Sequence, residues 1–163
     1  LDRPFTPSDV FQQVTVAIAY TERLIESFPA TDSTVPAESP YVANMRPADV
    51  YGKLLNCFAT IQRIAHISGH PILSIETGDE TTVSSISPSD VYDIASLVVS
   101  EVAYLHSLLE NGPKPRRAYY PGRRFPSDVY QRAGILEAQL EQLQHLANAN
   151  PERLGRRMTR EQE

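Results

Sequence analysis

Counted from four aspartates, Asp9, Asp49, Asp90 and Asp128, apolar or small residues recur at offsets 1, 5, 8, 12 and 15. The sets are Val10, Val14, Ala17, Thr21 and Leu24; Val50, Leu54, Cys57, Ile61 and Ile64; Val91, Ala95, Val98, Val102 and Leu105; and Val129, Ala133, Leu136, Leu140 and Leu143. Alternating steps of four and three place such residues on one seam of a helix that packs against others. Only Thr21 interrupts the apolar series. The pattern predicts four long helices, over about 7–28, 47–69, 88–111 and 126–149.

Each seam follows a recurring start. Thr6-Pro7-Ser8-Asp9-Val10-Phe11 returns as Arg46-Pro47-Ala48-Asp49-Val50-Tyr51, Ser87-Pro88-Ser89-Asp90-Val91-Tyr92 and Phe125-Pro126-Ser127-Asp128-Val129-Tyr130. The prolines stand 40, 41 and 38 residues apart. Proline suits the first helical position, where its missing N–H would have had no partner. The aspartate then falls at the third position, in reach of the N-cap amide and at the positive end of the dipole. Thr6 and Ser87 can cap through their hydroxyls; Arg46 and Phe125 cannot. The fold class expected is therefore all-α, a single four-helix bundle over 1–163 built from four quasi-repeats of about 40 residues. Helices 2 and 4 also share a basic residue at offset 4 (Lys53, Arg132), alanine at 10 (Ala59, Ala138) and histidine at 17 (His66, His145), which suggests a copied helix pair.

Helix ends and linkers follow from glycine and proline. Gly69 before Pro71 and Gly112 before Pro113 read as stops. Gly52 and Gly134 lie inside helices, where close approach of a neighbour would explain them. The linkers 29–45 and 71–86 are long for a bundle. Extended, they have the reach to run back along it and make successive helices parallel. The commoner antiparallel arrangement is the expectation. Ile72–Glu76 and Thr81–Ser85, around Gly78-Asp79, have the pattern of a small β-hairpin. The tail 152–163 is short and polar and is expected to be flexible.

Composition narrows the function classes. A net charge of −5 argues against general nucleic-acid binding. No apolar run is long enough for a transmembrane helix. The single cysteine, Cys57, rules out an internal disulfide. A chain that starts at Leu1 suits an exported, periplasmic protein freed of its signal, and equally a domain of a larger protein.

Candidate chemistry is sparse. The third linker carries Lys114, Arg116, Arg117, Tyr119, Tyr120, Arg123 and Arg124 without an acid. Arginine forks bind carboxylate or phosphate, and tyrosines anchor interfaces. The plainer alternative is that these arginines pair with acidic helix faces. Tyr51, Tyr92 and Tyr130, with Phe11, share offset 2 and form a candidate pocket at a bundle end, or the edge of the core. His66, His106, His145 and Glu26 would lie near one level in a parallel bundle, as a metal site requires, but their helical phase points them to solvent. Nucleophile elbows, phosphate loops and paired metal-ligand motifs are absent. The function expected is a non-enzymatic binding or protein-interaction module without a cofactor, its partner a protein or a small anion. The alternatives are a sensor for a small anionic ligand, lined by Tyr and Arg, and a histidine-based metal bundle.

Overall fold

The computed structural model describes residues 6–28, 38–69, 86–109, 123–151 and 154. They form four helices: α1 (Pro7–Glu26), α2 (Pro47–Ile67), α3 (Pro88–Ser107) and α4 (Pro126–Ala149). Every helix starts on the proline expected of it. In each, the N-cap backbone is extended and the third-position aspartate folds back to accept from the N-cap N–H. The four distances are 2.9 Å for Thr6–Asp9, 2.8 Å for Arg46–Asp49, 2.8 Å for Ser87–Asp90 and 2.9 Å for Phe125–Asp128. Thr6 and Ser87 complete the reciprocal bond by accepting from Asp9 and Asp90 N–H.

The first three helices end two to four residues earlier than the apolar pattern suggests. Serine hydroxyls compete for the last carbonyls there: Ser27 Oγ donates to Leu24 O and Ser107 Oγ to Tyr104 O, each at 2.6 Å. Gly69, at φ +79°, turns the chain out of α2.

All twenty seam residues are buried, none more than 4% exposed. Thr21 fits because its hydroxyl donates to Ala17 O at 2.8 Å, so no polar group is left unpaired. α1 packs on α3 and α4, and α2 packs on the same two. The order around the bundle is therefore α1, α3, α2, α4.

The helices do not alternate in direction. Pro7, Pro47, Pro88 and Pro126 line one small depression together with Val10, Val50, Val91 and Val129, so all four starts share one end. Contacts farther along join similar levels, as in Lys53–Glu137 and Arg63–Gln144. The antiparallel expectation is thus corrected: this is a parallel bundle. The linkers permit it, because each exceeds the minimum needed to return along a helix of about 30 Å.

One return path is visible. Gln131 Nε2 donates to Ser39 O at 3.1 Å, and Met45 N–H donates to Ser127 Oγ at 3.0 Å. Residues 39–45 therefore descend along the first turns of α4 before α2 begins. A Cβ on Gly134 would collide with Ser39 Oγ and lie 2.9 Å from Ser39 Cβ. The close approach expected at Gly134 is real; Gly52 has nothing within 4 Å and no such reason. The hairpin read over 72–85 lies outside the described residues, as does most of the tail. Leu154 is an exception, since its side chain is buried in the core. No helix is long and apolar enough to cross a membrane, among the described residues.

Candidate functional site

The shared end of the helices is held by contacts that run one way around the bundle. Arg124 N–H, just before α4, donates to Ser8 Oγ on α1 at 2.8 Å. Met45 N–H, just before α2, donates to Ser127 Oγ on α4 at 3.0 Å. A second tier repeats the sense. Arg132 of α4 lies over the Phe11 ring of α1 at 4.8 Å, and Lys53 of α2 over the Tyr130 ring of α4 at 4.9 Å. Gln13 of α1 donates to Tyr92 Oη of α3 at 3.0 Å. In each case the residue at offset 4 meets the aromatic residue at offset 2 of the next helix. At the remaining joint, α3 to α2, the corresponding residues are Ile94 and Tyr51, both in the apolar core or packed against it. Ala48 stands there where the first tier has serine.

This geometry accounts for the aromatic ring positions. Tyr92 and Tyr130 serve different joints, and Tyr51 packs half-buried against the core. None of the three lines the depression between the helix starts, which is apolar and about 30 Å³, the size of one water molecule. Lys53 and Arg132 share an offset in the sequence. Their contacts with the neighbouring aromatic residue follow from helix direction, which residue spacing does not carry.

Lys53 also forms a 3.1 Å ion pair with Glu137. Partial burial works against its proton, but the Glu137 hydrogen bond and charge, with help from Tyr130, hold the ammonium above the ordinary lysine value. Phe11 carries a second cation: Arg124 lies 4.6 Å from its centroid. Burial first, then the charge of Arg124, pushes the Arg132 guanidinium below the ordinary arginine value, against the pull of Glu22. Neither arginine has an ion-pair partner among the described residues. Arg124 Nε is shut off from solvent without an acceptor. Beside them, exposed Arg123 stacks on exposed Phe125 at 5.5 Å.

Of the basic linker, Arg123 and Arg124 are thus at the helix-start end. Lys114, Arg116, Arg117, Tyr119 and Tyr120 lie outside the described residues. His66 and His145 are exposed on separate helices, as their phase requires, and His106 meets Tyr20 edge to face at 5.2 Å. No three His, Cys, Asp or Glu side chains converge among the described residues. Cys57 is fully buried, its Sγ 3.7 Å from Ala133 O. Burial above all pushes its thiol pKa upward, which suppresses the nucleophilic thiolate.

The chain matches no known family model, no curated protein and no solved structure.

Proposed function

We propose that the chain is a non-enzymatic binding module that meets a protein partner through the end where its four helices start. Phe125 carries this reading. It occupies an N-cap, where serine, threonine, aspartate or asparagine would stabilise the helix and phenylalanine contributes no cap. The residue is 56% exposed, so it adds little to the core. An exposed aromatic residue with an arginine stacked on it is the chemistry of an interface anchor. Tyr41 and Val42, also exposed, lie in the segment that descends beside α4 toward the same end. Arg123 and Arg124, the described residues of the basic linker, lie at this end.

The test is capture of a partner, followed by solution binding with the purified component. Phe125→Ser should weaken binding at least tenfold while leaving the urea midpoint unchanged or higher. Arg63→Gln, at the far end of α2, should leave binding as it was. Equal binding by Phe125→Ser would refute the reading.

The anionic-ligand alternative is favoured by a separate observation, the two cations gathered on Phe11. The histidine-based metal reading has no converging set of ligands among the described residues to support it.

A further inference from the structure

We propose that Arg124 and Arg132, held against Phe11, form a receptor for a doubly charged phosphoryl group. The inference is independent of the protein contact at Phe125.

Three observations lead to it. First, the two guanidinium groups are brought to one ring, at 4.6 and 4.8 Å from its centroid. They come from different parts of the chain, the segment before α4 and the second turn of α4. The ring belongs to α1 and is itself buried. Second, the backbone of Arg124 is tied to α1, because Ser8 Oγ accepts its N–H at 2.8 Å. Arg132 belongs to α4 itself, so the backbone of both arginines is placed by the fold. Third, the charge is uncompensated. Taking a cation out of water is costly unless an opposite charge matches it. Here neither guanidinium has one within ion-pair distance among the described residues. Glu22, which acts on Arg132 through its charge, is hydrogen-bonded by Gln139 at 3.5 Å.

The aromatic face offsets part of the cost, since a guanidinium over a ring is attracted by its quadrupole. It does not cancel the repulsion between two like charges on one ring. A ligand bearing two negative charges would. A phosphoryl group carries about −1.5 to −2 near neutral pH and offers acceptor oxygens in several directions. A monocarboxylate matches half the charge. Each guanidinium can present two parallel N–H groups to such oxygens.

The test uses the whole chain at low ionic strength, with inorganic phosphate as probe and chloride as the ionic-strength control. Calorimetric titration of the wild-type chain should show saturable binding. Arg132→Gln and Arg124→Gln should each weaken it at least tenfold, and Arg63→Gln should leave it unchanged. Circular dichroism and a urea midpoint establish that each variant is folded. Arg132→Lys keeps the charge and loses the fork; it should fold in any case and bind severalfold more weakly. A phosphoserine peptide and its unphosphorylated form provide the second arm. Preference for the phosphopeptide over phosphate assigns the group to a protein-borne ligand, and equal or weaker binding assigns it to the free ion; both support the site. No saturable binding through the millimolar range, binding that survives both glutamine variants, or equal binding of the dicarboxylate malonate would overturn the proposal.

Discussion

Ser39 stands in the space that a side chain on Gly134 would fill. The return segment before α2 is thereby seated in the surface of α4, one turn above the Gln131–Ser39 hydrogen bond. The two helical glycines make a matched pair of tests. Gly134→Ala gains helix propensity but forces Ser39 away, and should cost about 1–3 kcal/mol by overpacking. Gly52→Ala meets nothing within 4 Å and should stabilise by about 0.5–1 kcal/mol. Urea denaturation of the two variants should therefore shift in opposite directions.

The serine contacts at the helix starts predict a second series. Ser8→Ala and Ser127→Ala each remove a buried acceptor from a neighbouring segment's N–H and should cost about 1–2 kcal/mol. Ala48→Ser supplies the hydroxyl that the α3-to-α2 joint lacks. If the one-way relation is a property of the bundle, the N–H of Ile86, which stands two residues before Pro88 as Arg124 and Met45 stand before Pro126 and Pro47, becomes its donor and the variant gains up to about 1 kcal/mol. A loss of stability in Ala48→Ser, read from the same denaturation curves, would mean that the relation stops at the two observed joints.

Four parallel helices align their dipoles, each equivalent to about half a positive charge at the shared end. The aspartates at the third positions answer this charge as well as the N-cap amides. Asp9, which is buried, should be the most costly to replace: Asp9→Asn is expected to lose about 1–2 kcal/mol. Asp90→Asn, at an exposed position, should lose about 0.5 kcal/mol. The penalties should shrink in about 1 M salt, where charges are screened within a few ångströms. Thermal melts at low and high salt check this.

Cys57 gives a prediction about reactivity. Its sulfur is buried and its thiol pKa is raised. A disulfide reagent at pH 8 should modify the native chain only as fast as the core opens, and the urea-unfolded chain at once. The reaction rate should follow the stability of the variants above.

The helix starts and the seam were legible because both are local. A proline, an aspartate three positions on from the cap and a 4–3 spacing act within one helix, and every seam residue, from Val10 to Leu143, is buried. Helix direction was not legible in the same way. The spacing of Val50, Leu54, Cys57, Ile61 and Ile64 serves a parallel or an antiparallel neighbour equally, and only the length of the linkers hinted at the outcome. The arginine cluster was hidden for that reason. Phe11 and Arg132 meet because α1 and α4 start at one end, and Arg124 joins them through the segment held by Ser8. The helix ends were overextended because glycine and proline mark where a helix must stop, while serine back-bonding at Ser27 and Ser107 stops it sooner.

The parallel arrangement also governs how the chain must find its fold. α1 lies diagonal to α2, and α3 to α4, so two of the three successive helix pairs share no substantial interface. Among the described residues, the side-chain hydrogen bonds between helices and segments join residues 76 to 117 positions apart. An up-and-down bundle can zip through neighbouring hairpins, but here long loops must close before most of the core exists. Loop closure is paid in chain entropy, and topologies dominated by distant contacts fold slowly. Stopped-flow refolding should accordingly show a rate nearer that of a β-sandwich than of a helical protein of this length.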